Sequence, residues 1–176
     1  MLRVDELGKL GGTPCPKLRP GGGCSIHPTR PAICRAYRCL WLRGGLDEVD
    51  RPDGLGAVVD VTSEGGSPLL AIREARAGAF EHSLRLREIA ERYRANMPVR
   101  ITSATDVMNP DRPYRVLLPG GEEQRVAGER VTRLRDGLVL ETRRMPWLER
   151  VVRRLSLGLE RWRVRRMQRR GPRQMM

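Results

Sequence analysis

An α+β fold is the simplest reading of this 176-residue chain, and three observations predict it. Between residues 55 and 144, short apolar runs alternate with Gly-, Pro- and Asp-bearing turns, the pattern of strands joined by hairpins. Within that region one stretch carries apolar residues at helical rather than strand spacing. Ahead of it, all four cysteines of the chain crowd into residues 15–39 among prolines, a composition that forms no single regular element and calls for a staple. The expected architecture is an irregular cysteine-rich N-terminal segment, a small antiparallel sheet with one packed helix, and a C-terminal basic amphipathic helix. The boundaries fall at 1–54, 55–144 and 145–176.

Taken in order, Val4, Leu7 and Leu10 stand at helical spacing before a Gly-Gly break. The cysteine segment follows, and its second half, Ile33–Trp41, lacks Pro and Gly and suits a short helix opened by Pro31. At 100° per residue Cys34 and Cys39 would lie about 140° apart, so a broken turn is expected between them. Residues 44–56 read as a loop. Ala57–Thr62 and Leu69–Arg73 are strands joined across SEGGSP. Ala79–Met97 is an amphipathic helix with Phe80, Leu84, Ala90, Tyr93 and Met97 recurring and Pro98 as its stop. Val99–Ser103 and Tyr114–Leu118 are further strands, and Asp136-Gly137 turns Val126–Leu134 into Leu138–Thr142. Trp147–Met167 carries Leu148, Val151, Val152, Leu155, Leu159 and Trp162 on one stripe with arginines around it. A chain with one Phe is short of apolar area, so this stripe is expected to pack on the sheet. Disorder is expected after Arg169.

The net charge of +13 resembles a nucleic-acid signature until it is divided along the chain. Residues 143–176 hold 12 arginines against Glu149 and Glu160, whereas the first 142 residues carry a net charge of only +3. The basic character belongs to the tail, where Arg163–Arg173 suit salt-sensitive, non-specific contact with polyanions. Lys9 and Lys17 are the only lysines, so arginine dominates throughout and carries little specific meaning of its own. No apolar run is long enough for a membrane span, and no basic start leads into an apolar leader. A cytoplasmic location is therefore expected, where clustered cysteines remain reduced and read as metal ligands before they read as disulfides.

Cys15, Cys24, Cys34 and Cys39 are the candidate ligands. Their spacing lacks the paired C-x2-C knuckles of common zinc fingers, and structural thiols or a disulfide pair are the alternative. Four thiolates suit a closed tetrahedral zinc site and an iron–sulfur cluster equally well. His27 follows Cys24 at a chelating interval, although a loop histidine ahead of Pro28 is the plainer reading. Arg30, Arg35 and Arg38 surround the cysteines and would lower thiol pKa values, unless they are solvated loop charge. His82 has no ligating neighbour in sequence and reads as helix surface. Asp60 and Glu64 lack a matching histidine, and neither a P-loop, a G-x-S-x-G nor an H-E-x-x-H occurs, so no catalytic residue is assigned.

The run CSIHPTRPAICRAYRCLWL, followed by R-P-D ahead of a strand, resembles the YkgJ family of bacterial zinc- or iron-chelating proteins. The matching residues are Cys24, Ile26, Arg30, Pro31, Cys34, Arg35, Tyr37, Cys39, Trp41, Leu42, Arg51, Pro52 and Asp53, and the likeness spans about residues 4–75. It implies a metal-chelating function, with zinc or iron as cofactor and Arg30, Arg35 and Tyr37 in supporting roles. Two departures stand out. The family's CxxCxxCC cluster is absent here and by the family's order would fall just ahead of Met1, and His27 occupies a position that the family usually fills with an aromatic residue. Flagellin lysine methylases carry a similar cysteine cluster, so a methylase-like remnant is a second reading, although no S-adenosylmethionine site is recognisable. Binding of nucleic acid or an anionic surface by the tail is a third.

Overall fold

A computed structural model describes residues 3–9, 15–20, 23–104, 109 and 111–169. Leu10, the Gly21-Gly22 turn and the tail beyond Arg169 lie outside the described residues. The fold is α+β: seven strands form one sheet, with helices at its N-terminal half and one long helix at the C-terminal end. The strands are β1 (Ala57–Glu64), β2 (Ser67–Glu74), β3 (Val99–Ser103), β4 (Tyr114–Leu117), β5 (Glu122–Ala127), β6 (Arg130–Arg135) and β7 (Leu138–Arg144), and they lie side by side in chain order.

The sheet is larger than the small one expected, and it is not wholly antiparallel. β2 and β3 pair in parallel, with Leu70 opposite Val99 and Ile72 opposite Ile101. A parallel pair needs a crossover, and a helical stretch supplies it. That stretch is two helices rather than one, α3 (Ala79–His82) and α4 (Leu84–Arg94). Ser83 separates them because its backbone is extended while its hydroxyl accepts a hydrogen bond from the Leu86 amide, making it the N-cap of α4.

Leu86, Ile89 and Ala90 on α4 meet Val59, Leu70, Ile72, Val99 and Ile101 from the sheet, and most of these side chains are fully buried. Each large aliphatic so enclosed contributes about 1.5–3 kcal/mol. Val126, Val131 and Met145 make a smaller second core with Tyr114. The turn between β6 and β7 is the one expected: Asp136 and Gly137 both have positive φ, at 52° and 80°, as a two-residue hairpin demands.

N-terminal to β1 the chain advances by short helical turns, including α1 (Ala32–Ala36) and α2 (Pro52–Leu55). α1 ends between Cys34 and Cys39 because Tyr37 is extended (φ −65°, ψ 126°). Asp47 and Asp50 close a capping box on the turn at 48–50 that sequence reading left as loop. The Leu40 amide donates to the Val59 carbonyl, and Leu40 itself joins the main core. Gly45 lies so close beneath Leu40 that a Cβ there would stand 2.9 Å from its Cγ.

The long helix α5 (Trp147–Arg169) departs from expectation. Its apolar stripe does not pack on the sheet; Leu148, Val152, Leu155, Leu159 and Trp162 are all exposed. Arginines attach the helix instead, because Glu129 and Tyr114 offer them charge and a ring. Arg150 and Arg154 meet Glu129 at 2.6 and 3.5 Å, and Arg153 donates to the Arg112 carbonyl at 3.2 Å with its guanidinium 5.5 Å from the Tyr114 ring centre. No helix among the described residues is long and apolar enough to cross a membrane.

Candidate metal centre

Short, irregular turns and α1 carry the cysteines. Cys15 opens a turn whose Leu18 amide returns to the Cys15 carbonyl, and Leu18 then bridges Cys24 in antiparallel fashion. Cys34 lies in α1. All four cysteines are free thiols; Cys39 is buried and the other three are part-exposed.

Cys34 has Cys15 and Cys24 for electrostatic neighbours. Burial pushes its thiol pKa up, and negative charge on Cys15, Cys24 and Glu6 raises it further, with Lys9 opposing. Lys9 projects from the short Val4–Lys9 hairpin and is itself buried. Burial lowers its pKa, while Cys15 and Cys34 work in the other direction. Three thiols and one ammonium therefore share one neighbourhood, built from segments up to 25 residues apart.

Cys39 has different company. It is only 4 % exposed and lies with Tyr37 and Asp60. The Tyr37 phenol is pushed up to about 12, first by burial and then by the Asp60 charge, with Arg73 opposing. Asp60 Oδ1 is buried and finds no hydrogen-bond partner among the described residues. Asp60 pairs across the sheet with Ala71, whereas Leu40 contacts the Val59 side of the core. The cysteine segment thus straddles the outer edge of β1, with Leu40 to the core side and Tyr37 and Cys39 toward Asp60.

His27 is paired with Arg30. Its Nε2 accepts from Arg30 at 2.7 Å, and the same Arg30 nitrogen donates to the His27 carbonyl at 2.9 Å. This pairing also engages Arg30 with the histidine. Arg35 is exposed on α1, and so is Arg38 just beyond it. His82 is exposed and hydrogen-bonded through Nδ1 to the Gly78 carbonyl at 2.7 Å. Among the described residues no group of three or more His, Cys, Asp or Glu side chains is drawn together closely enough to hold a metal ion.

Sequence reasoning missed Lys9, Glu6 and Asp60 as neighbours of the thiols. Lys9 carried a signal, being one of two lysines in an arginine-dominated chain. A lysine that tolerates burial by lowering its pKa suits that place where an arginine, always charged, does not. Asp60 carried none, since its burial depends on Tyr37 crossing the β1 edge.

No protein-family model, curated protein or solved structure matches the chain.

Proposed function

We propose that this chain is a thiolate metal-binding protein of the YkgJ kind, taking zinc or iron at Cys15, Cys24 and Cys34, with Cys39 as a fourth thiolate. The supporting observation is that Cys34 has Cys15 and Cys24 as electrostatic neighbours, with Lys9 near Cys15 and Cys34. Clustering of that kind raises the cost of ionising the thiols together, and a bound cation removes the cost by neutralising them. The donor set fits both groups named: soft thiolates select zinc or an iron–sulfur cluster over hard-oxygen metals. Such a group would supply a structural clamp as zinc, or electron transfer as iron–sulfur. Lys9 holds positive charge near Cys15 and Cys34, and Tyr37 orders the chain between Cys34 and Cys39.

Elemental analysis of anaerobically purified full chain tests the reading. Zinc or iron near one equivalent is expected, falling at least about fivefold in Cys34→Ser, since an opened site loses most of its affinity, and holding steady in His27→Ala. No metal after reconstitution with excess Zn²⁺, or with Fe²⁺ and sulfide, would overturn it.

A further inference from the structure

We propose that α5 is a surface-seeking element that docks on an anionic lipid bilayer through its apolar stripe. The proposal is independent of the metal reading and starts from how the helix is mounted. Arg150, Arg153 and Arg154 attach it to Glu129, Arg112 and Tyr114, and at 100° per residue Arg150 and Arg153 lie nearly opposite the stripe of Leu148, Val151, Val152, Leu155, Leu159 and Trp162, with Arg154 on its flank. The body holds the helix by its polar side and presents the apolar side outward. Leu155 is 63 % exposed and Trp162 56 %. From Leu148 to Trp162 the stripe runs about 21 Å, far longer than an isolated exposed side chain needs explaining.

Charge identifies the occupant. Beyond Trp162 the same face continues by position into Arg163 and Arg166, and the Arg166 guanidinium lies 5.2 Å from the Trp162 ring centre. The two acids of the helix, Glu149 and Glu160, fall by position on its flank rather than on the stripe. A second copy of α5 would bring apolar groups to the stripe but no carboxylate to meet these cations. Nucleic acid would meet the cations and leave the stripe in water. Anionic lipid answers both features, with acyl chains for Leu, Val and Trp and head groups for the arginines. Since no described helix is long and apolar enough to cross a membrane, the helix lies in the interface.

The test is sedimentation of the full chain with vesicles of phosphatidylcholine alone and of phosphatidylcholine with one part in about three phosphatidylglycerol, the anionic fraction supplying the head-group charge. Binding to the anionic vesicles is expected to exceed binding to the neutral ones at least about tenfold. Leu155→Asp with Leu159→Asp should weaken anionic-vesicle binding at least about tenfold while leaving retention on heparin within about twofold. These positions are exposed, so the fold should tolerate them; Arg163→Glu with Arg166→Glu reads the same face by charge and should also lose the anionic vesicles. Wild-type vesicle binding by the leucine variant would overturn the proposal in favour of bare polyanion attraction. A wild-type dimer that this variant splits, or the absence of vesicle binding, would overturn it too.

Discussion

Arg85 grips both carboxylate oxygens of Asp50, donating from Nε to Oδ1 at 2.6 Å and from Nη2 to Oδ2 at 2.9 Å. The Asp50 side chain is wholly buried, whereas Arg85 keeps 30 % of its surface in water and also reaches Asp47 and Glu88. This pair ties the N-terminal segment to α4.

The unequal burial makes the two halves of the pair unequal. Arg85→Ala leaves a buried carboxylate with only the Asp47 amide for a partner and should cost about 3 kcal/mol. Asp50→Ala leaves an arginine that still has Asp47, Glu88 and solvent, and should cost about 2 kcal/mol. Urea midpoints at unchanged slope measure both, and a reversed order would contradict the geometry.

The same pair sets an acid limit. The Arg85 hydrogen bonds hold the Asp50 carboxyl below its usual range, against the opposing effect of burial. A depressed folded-state pKa adds stability that is complete above the ordinary aspartate value of about 4 and drains as pH falls below it. Wild type should therefore lose stability more steeply than Asp50→Asn on acidification below about pH 4. Parallel curves would show that Asp50 plays no part.

Tyr37 sets an alkaline limit of opposite sign. Its pKa, pushed up to about 12, means the folded state resists forming the phenolate beside Asp60. The contribution is intact below the unfolded tyrosine value of about 10 and is lost as pH climbs from there toward 12. Tyr37→Phe should flatten this alkaline decline. A phenolate titration in which the Tyr37 signal appears near pH 10 would refute the burial argument.

Among the described residues Met145 is the last to enter a core, at 3 % exposure, and the stripe of α5 beyond it is exposed. A chain ended after Met145 should keep cooperative unfolding and nearly the same urea midpoint, since the solvent-accessible ion pairs of Arg150 and Arg154 with Glu129 contribute little. Ending after Arg144 should cost about 2–3 kcal/mol more by emptying the Met145 site. Equal melting of the two would show Met145 to be idle.

Much of this fold was legible because local signals and global packing agreed. The positive-φ pair Asp136-Gly137, the apolar run of β1 and the Pro98 stop each announce themselves within a few residues. β5 did not, because Glu122, Glu123 and Gln124 are poor strand formers. Charge holds them, mostly across strands: Glu122 meets Arg133 and Arg135, and Glu123 meets Arg115 and, on its own strand, Arg125. Those partners stand on three strands, and no window of sequence shows them together. The parallel β2–β3 pairing was hidden for the same reason. The break at Ser83 could have been read, since serine ahead of Leu84–Arg94 is a cap residue.

The site was legible in its residues and not in its grouping. Four cysteines named themselves, yet their division into a trio beside Lys9 and a lone Cys39 beside Asp60 follows from the Leu40 bond to Val59, a long-range contact. The mounting of α5 was likewise unreadable. A stripe and an arginine face are visible in sequence, but which of the two meets the body is decided by Glu129 and Tyr114.

Strand order equal to chain order also bears on how the molecule is made. Of the main core, every member but Leu117 lies at or before Ile101, and β1, β2, α4 and β3 already enclose it. During synthesis that nucleus leaves the ribosome first and can consolidate before β5, β6 and β7 exist, each later strand then zipping onto a finished edge. The core can thus form before the later strands, and α5 is made after the sheet that carries it.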